Sequence, residues 1–145
     1  MQEVIVVGVD GTETAARAAR SAARLADALE AELLVVSAYG QVETERVAAE
    51  GRAFSLDHEA RARDVAESTI GSLREDFPGL TMTPVAAEGK PGDALVEVAT
   101  DRAAGMIVVG NKRVQSLARV LGTVASDVAH KAPCDVYIAH THTRG

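Results

Sequence analysis

Short apolar segments recur along the chain and have the pattern of β-strands. Three of them are nearly continuous runs of β-branched and other apolar residues, which is typical of strands buried on both faces of a sheet. The segment Leu80–Ala87 alternates only in part, and Pro84 within it favours an edge strand because proline has no N–H to donate to a neighbour. The five predicted strands are Val4–Val9, Leu33–Tyr39, Leu80–Ala87, Met106–Val109 and Asp135–Ala139.

Longer segments with helical periodicity separate the predicted strands. Between the first two strands, alanine and leucine residues fall three and four positions apart on one face, and so much alanine would let a helix lie close to a sheet. Pro78 and Gly79 end the second helix, and Pro91 suits the start of the third. Gly40–Arg52 is polar and acid-rich and predicts a connection. The four predicted helices are Thr14–Leu29, Leu56–Phe77, Pro91–Ala104 and Val124–Lys131.

Strands and helices therefore alternate from the first predicted strand to the last. Strands separated by helices imply right-handed crossovers and a parallel sheet covered on both faces. The sequence shows no internal repeat, low-complexity tract or linker, so residues 1–145 are predicted to form a single doubly wound α/β domain. In such sheets, ligands bind at the carboxyl ends of strands where the strand order reverses.

Composition and charge narrow the function classes. The chain has 145 residues, of which 47% are hydrophobic, and this is enough to form a core that needs no disulfide or metal ion for stability. The single cysteine, Cys134, excludes an intrachain disulfide and a cysteine-based zinc site. A net charge of −6, 3% aromatic residues and no tryptophan argue against a nucleic-acid or anionic-membrane binder. No apolar run approaches the ~20 residues of a membrane span and no basic leader precedes the first strand, so we expect a cytoplasmic protein.

The first candidate for chemistry is the end of the first strand, where Asp10-Gly11-Thr12 follows the apolar run. An acidic residue leaving this strand can accept hydrogen bonds from a ribose or an adenine edge. The same residues also fit a purely structural role, in which Asp10 or Thr12 caps the following helix and Gly11 supplies a turn. The sequence leaves both interpretations open.

The second candidate is the stretch after the fourth strand, from Gly110 to the pair Gly122-Thr123. A loop opened by glycine and ended by Gly-Thr at a helix start offers unpaired N–H groups and the positive end of a helix to a phosphate. Ordinary structural turns share this pattern. Neither G-x-x-x-x-G-K-[ST] nor G-x-G-x-x-G occurs, which disfavours a P-loop hydrolase or a dinucleotide dehydrogenase. A local basic cluster falls in the loop, at Lys112, Arg113 and Arg119.

No catalytic or metal site is predicted from the sequence. Asp10 has no carboxylate partner at a useful spacing, and Cys134, beside Pro133 at the mouth of the last strand, is typical of a small residue that packs in a core. His140 and His142 alternate near the C-terminus, but two histidines without a third ligand make a weak metal site. We therefore expect a binding protein rather than an enzyme.

Four segments, in this order and spacing, resemble the universal stress protein family over essentially the whole chain. They are Val4–Thr12, Met106–Asn111, Gly122-Thr123 and Ala132–Val136. The resemblance implies a five-stranded parallel sheet of order 3-2-1-4-5 with helices on both faces. It also implies a homodimer in which the last strands, Asp135–Ala139 in this chain, pair antiparallel. The ligand that it implies is an adenine nucleotide (ATP, AMP or cyclic AMP), with or without Mg²⁺.

Nucleotide-binding members of the family carry the pattern G-x2-G-x9-G-[ST] after the fourth strand. Gly110 matches the first glycine, and Gly122 with Thr123 matches the final pair. Arg113 stands at the second glycine, and Val114–Leu121 supplies eight residues where the pattern has nine. An arginine brings a Cβ and a long side chain to a place where backbone would touch phosphate, although it can itself bind phosphate bidentately. These departures favour a monophosphate, a cyclic nucleotide or an empty site more than is usual in the family.

By the same mapping, the resemblance implies a nucleotide site built from the first, second and fourth strands. Asp10 would hold the ribose, Ser37 and Ala38 would flank the adenine, and backbone N–H groups after the fourth strand would bind phosphate. We expect a regulatory dimer that binds an adenine nucleotide there. The alternative is a member with a degenerate phosphate loop that binds no nucleotide and acts through protein partners. The implied residues are Gly8, Val9, Asp10, Ser37, Ala38, Val109, Gly110, Asn111, Arg113, Gly122, Thr123 and Val124.

Overall fold

Five strands and four helices alternate along the part of the chain that the computed structural model describes, residues 3–40, 52–111 and 122–141, with only the backbone described at 52–56. None of these helices is both long enough and apolar enough to cross a membrane. The strands are β1 (Val4–Gly8), β2 (Glu32–Tyr39), β3 (Met82–Glu88), β4 (Met106–Asn111) and β5 (Asp135–His140). The helices are α1 (Glu13–Leu29), α2 (Arg52–Arg74), α3 (Pro91–Asp101) and α4 (Thr123–Lys131).

The strands form one parallel sheet in the order β3-β2-β1-β4-β5, with helices on both faces, which confirms the predicted fold. In the central strand β1, Ile5 is in register with Leu33 of β2 on one side and with Met106 of β4 on the other. β3 lies at one edge, where Pro84 is in register with Val35, so the prediction of an edge strand is confirmed. The chain moves outward from β1 to β3 and then crosses back to β4, so the strand order reverses between β1 and β4.

The alternation of side chains along the central strands divides the core into two layers. Ile5 and Val7 pack with α1 and α2, whereas Val6, between them, packs with α3 and α4. α1 can lie close to the sheet because its fully buried positions are all alanine. Leu29, expected on the same face, is 49% exposed at the last residue of the helix. The buried alanines are Ala18, Ala19, Ala22, Ala23 and Ala26.

Two helices end earlier than predicted. α3 ends at Asp101 instead of Ala104, because Ala103 has a φ of +50°, a left-handed conformation that a continuing α-helix does not allow. α2 ends at Arg74, three residues before the expected end at Phe77. Most of the polar connection predicted before α2 lies outside the described residues.

The fourth strand is longer than predicted. Its apolar run ends at Val109, but its pairing with β5 continues, with Gly110 in register with Ala139 and Asn111 with His140. The prediction that Gly110 opens a loop was therefore wrong, and the strand carries both residues to the edge of the sheet where the candidate site lies.

A buried hydroxyl group follows the last strand. Thr141 is 3% exposed, and its hydroxyl oxygen has no hydrogen-bond partner within the described part of the chain. Its methyl group lies over Gly110, because a Cβ placed on that glycine would come within 2.9 Å of Thr141 Cγ2. An unpaired buried hydroxyl costs about 1–3 kcal/mol of stability.

We expect Thr141→Val to raise the free energy of unfolding by about 1 kcal/mol, because valine keeps the shape and removes the unpaired oxygen. Urea denaturation followed by circular dichroism measures this change. The control is Thr83→Val, which removes a hydroxyl that donates to Glu32 Oε2 at 2.9 Å and should lower the free energy of unfolding by a similar amount. A loss of stability in Thr141→Val as large as in the control would contradict the assignment of an unpaired hydroxyl.

Candidate functional site

A cavity of about 180 Å³ opens at the carboxyl ends of β1, β2 and β4, where the strand order reverses. Residues of the loop after β1 and of the first turns of α1, α3 and α4 complete its wall. The lining residues are Gly8, Val9, Asp10, Thr12, Thr14, Ala15, Val36, Ala38, Pro91, Leu95, Val109, Gly110 and Val124. The residues among these that the sequence also singled out are Gly8, Val9, Asp10, Ala38, Val109, Gly110 and Val124.

The cavity wall is mostly apolar, and a close contact between β1 and α3 shapes it. Leu95 of α3 is 3% exposed and lies directly against Gly8, where a Cβ would come within 2.9 Å of Leu95 Cδ1. Glycine at position 8 therefore allows α3 to pack onto the end of β1. Val36 and Ala38, two residues apart on β2, line the same cavity.

Asp10 and Thr12 form a short hydrogen-bond network at the start of α1. Asp10 Oδ1 accepts from the Thr12 N–H at 3.0 Å and from Thr12 Oγ1 at 2.6 Å. Thr12 Oγ1 in turn accepts from the Ala15 N–H at 3.2 Å, which makes Thr12 the N-cap of the helix. Gly11 supplies the turn with a φ of +86°. The helix-capping interpretation left open by the sequence is thus confirmed for Thr12.

The capping network does not remove Asp10 from the cavity wall. Among the described residues, both hydrogen bonds to its carboxylate use Oδ1, so Oδ2 takes no part in the network. Asp10 is exposed and lines the cavity. An ionised carboxylate only accepts hydrogen bonds, so a ligand group beside it has to be a donor such as a hydroxyl or an amino group.

Ser37 does not lie on the cavity wall. It is 3% exposed and in register with Ala86 of β3. Because successive side chains of a strand point to opposite faces, Ser37 faces away from the side on which Val36 and Ala38 line the cavity. We expected Ser37 and Ala38 to flank the adenine together, and that expectation did not take the alternation of side chains into account.

Asn111 and Gly122 are brought together by a side-chain hydrogen bond. Asn111 is 5% exposed, and its Oδ1 accepts from the Gly122 N–H at 3.1 Å. The Gly122 N–H, expected to bind phosphate, therefore already has an acceptor. Asn111 itself is part of β4 instead of a phosphate loop, and neither residue lines the cavity.

The start of α4 offers donors of a different kind from the start of α1. Gly122 is the N-cap of α4 and, as a glycine, has no side chain to cap the helix, whereas α1 is capped by the side chain of Thr12. The N–H groups of the first turn, from Thr123 and Val124, have no acceptor within their own helix and lie at its positive end. Val124 lines the cavity, and Thr123, the residue before it, is exposed. Arg113, with the rest of the basic cluster, lies outside the described residues.

Several lining residues were not predicted from the sequence. Thr14 and Ala15 come from the first turn of α1, and Pro91 and Leu95 from the first turns of α3. Pro91 and Leu95 are four residues apart and so share one helix face, a signal that the sequence contained. Val36 was also detectable, by alternation from Ala38.

Most of the catalytic and metal candidates of the sequence can be placed in the described residues. No group of three or more histidine, cysteine, aspartate or glutamate side chains there is arranged to hold a metal ion. Cys134 is half-buried against the core layer of α3 and α4, and burial, with a smaller effect of Asp135, raises the pKa of its thiol. His140 is exposed at the end of β5, and His142 lies outside the described residues.

The comparisons with known proteins agree with this architecture. The model of the universal stress protein family matches residues 1–140. The universal stress protein Rv1636 of Mycobacterium tuberculosis is 32% identical, over 96% of this chain and 97% of its own. A crystal structure of a universal stress protein in complex with cAMP is 31% identical, with a TM-score of 0.71 over 96% of this chain and 97% of that one. Universal stress protein UspA from Lactobacillus plantarum has the same fold, with 23% identity and a TM-score of 0.71 over 94% of this chain and 96% of its own.

The family match spans all five strands of the sheet, and the strand order is the one that the resemblance implied. The chain belongs to the universal stress protein family.

Proposed function

We propose that the protein is a regulatory, non-enzymatic dimer that binds an adenine nucleotide in the cavity between the ends of β1 and β4. The observation that carries this proposal is the convergence on one cavity of an apolar wall, an exposed carboxylate and the uncapped start of α4. The cAMP complex of a 31% identical universal stress protein supports the same ligand class.

Each part of the cavity suits one part of an adenine nucleotide. The apolar surface of Val36, Ala38 and Val109 can pack against a purine, and Asp10 can accept a hydrogen bond from a ribose hydroxyl. The N–H groups at the start of α4 can bind an anionic phosphate, because the positive end of a helix and its unpaired donors both favour negative charge.

The donors at the start of α4 favour one phosphate over three. The Gly122 N–H is occupied by Asn111, which leaves the N–H groups of Thr123 and Val124 and the Thr123 hydroxyl as donors of the described residues at this point. This set suits a single phosphate, and together with the departures from the family pattern at Arg113 and in Val114–Leu121 it leads us to favour AMP or cyclic AMP over ATP.

Calorimetric titration of ligand-stripped protein with AMP, cyclic AMP, ATP and GMP tests the proposal. We expect AMP or cyclic AMP to bind more tightly than ATP, and GMP to bind least. The same incubations, followed by chromatography, should show unchanged nucleotide. A protein that binds none of the adenine nucleotides at millimolar concentration would contradict the proposal and favour the alternative, a member that acts through protein partners without a nucleotide.

The proposed dimer forms through the edge strand β5. Within the described residues β5 pairs only with β4, and Tyr137 on it is 43% exposed with Val136 and Ile138 half-buried. An unpaired edge with apolar side chains is suited to pairing with another strand, and residues Asp135–Ala139 of β5 in a second copy would supply it.

We expect Tyr137→Glu to convert the dimer to a monomer, because two symmetric charges would face each other across the paired edges. Light scattering after size-exclusion chromatography measures the mass. The control is Leu29→Glu, which places the same charge on another exposed large apolar residue, 49% exposed at the end of α1, and should leave the mass unchanged. A monomeric wild type, or a dimer that survives Tyr137→Glu, would contradict the proposed interface.

A further inference from the structure

We propose that Asn111 is a positioning residue for the anion-binding end of the cavity. Its side-chain carbonyl fixes the start of α4 to the carboxyl end of β4, so that the first N–H groups of the helix face the ligand. This inference rests on the proposed function, because it assumes that an anionic group of a ligand lies at the start of α4.

Strand pairing and burial hold Asn111 in place. Asn111 is the last residue of β4, whose pairing with β1 ends at Val108 and whose pairing with β5 continues to Asn111. It is in register with His140 of β5 and is 5% exposed. A side chain held by a paired backbone and buried by its neighbours keeps one orientation, so its Oδ1 is a fixed acceptor.

The bond made by this acceptor crosses eleven positions of sequence. Asn111 Oδ1 accepts from the Gly122 N–H at 3.1 Å. It therefore ties the end of one element directly to the start of the next, independently of the path of the intervening chain. A hydrogen bond between neutral groups in a buried place is worth about 1 kcal/mol and costs more when one partner is left unpaired.

The helix start depends on this bond. Gly122 is the N-cap of α4, and its carbonyl accepts from the Ser126 N–H at 2.9 Å to begin the helical hydrogen bonds. Gly122 has no side chain of its own to cap α4, so among the described residues it is Asn111 that supplies a side-chain hydrogen bond at this cap. Val124, two residues further, lines the cavity. A shift of Gly122 would move the Thr123 and Val124 donors with it.

The chemistry of the side chain also suits a place beside an anion. An asparagine supplies a neutral oxygen acceptor for the Gly122 N–H, whereas an aspartate would supply the same acceptor with a negative charge that repels phosphate. Asparagine thus holds the helix start without opposing the ligand.

The test compares adenosine with AMP, which differ only in the phosphate, by calorimetry on the full chain. We expect Asn111→Ala to weaken AMP binding about tenfold and adenosine binding less than about twofold, because only the phosphate contacts depend on the α4 donors. The matched control, Thr83→Val, removes one side-chain hydrogen bond, to Glu32, at the opposite edge of the sheet and should change neither affinity. The Gly122 amide should exchange slowly in the wild type and quickly in Asn111→Ala.

Other outcomes separate this inference from the proposed function. Equal losses for adenosine and AMP, or no loss for AMP, would overturn the positioning role while leaving nucleotide binding intact. A wild type that binds neither adenosine nor AMP would overturn the proposed function and this inference with it. If Asn111→Ala does not fold, Asn111→Leu replaces it: leucine keeps the size of the side chain and removes the acceptor, so the Gly122 amide should lose protection and AMP should be weakened more than adenosine.

Discussion

Replacing Asp10 by alanine is expected to weaken binding of the adenine nucleotide by roughly 10- to 100-fold. A hydrogen bond from a ribose hydroxyl to a charged carboxylate is worth about 1.5–3 kcal/mol, and each 1.4 kcal/mol corresponds to a factor of ten in affinity. The substitution also removes the two hydrogen bonds from Thr12, so a small loss of stability, about 1 kcal/mol, should accompany it. Calorimetric titration and urea denaturation measure the two effects separately.

Two further variants separate the ligand contact from the helix cap. Asp10→Asn keeps an oxygen acceptor for Thr12 and loses the charge, so its stability should stay close to that of the wild type while its affinity for the nucleotide falls. Asp101→Asn removes an exposed carboxylate at the last residue of α3 and should change neither property. Full affinity in Asp10→Ala would show that the carboxylate serves the cap alone and that the ligand does not contact it.

Replacing Gly110 by valine is expected to lower the free energy of unfolding by about 3 kcal/mol. A Cβ at this position would come within 2.9 Å of Thr141 Cγ2 and 3.2 Å of Ala18 Cβ. Neither neighbour can move easily, because Ala18 is fully buried in α1 and Thr141 is 3% exposed. Valine adds two methyl groups to this contact, so α1 and the end of β4 must separate. Thermal and urea denaturation measure the loss.

The chain supplies a matched control for this substitution. Gly71 in α2 has no atom within 4 Å of an added Cβ, so Gly71→Ala should raise stability by about 0.5–1 kcal/mol through the higher helix propensity of alanine. Thr141→Ser removes the methyl group that meets position 110, and we expect it to recover part of the loss in Gly110→Val. Wild-type stability in Gly110→Val would contradict the close packing of α1 on β4.

The architecture was largely predictable because its signals are local. Runs of apolar residues marked the strands other than β3, and Pro84 indicated that β3 lies at an edge because proline has no N–H to donate. The strand order rested on the family resemblance and not on any pattern in the residues. The end of β4 was missed because glycine and asparagine are poor strand formers, and only the pairing of Gly110 and Asn111 with β5 keeps them extended.

The candidate site was predictable only in part because its geometry depends on contacts between distant residues. The motif pointed to the part of the chain that follows β1 and β4, where the cavity lies, but the sequence did not indicate that Asn111 would occupy the Gly122 N–H. The pattern of apolar residues along the sequence does not predict the packing of Leu95 onto Gly8 either, because these residues are far apart in the chain. The placement of Ser37 away from the wall, by contrast, follows from strand alternation alone.

Methyl-resolved NMR during titration with AMP tests most directly whether this cavity holds the nucleotide. We predict saturable shifts of methyl groups on the cavity wall, with little change in those of the core layer beside α2. The wall reporters are Val36, Leu95, Val109 and Val124, and the distant reporters are Ile70 and Leu73. Shifts confined to other parts of the chain, or no shifts at millimolar AMP, would contradict the assignment of this cavity as the nucleotide site.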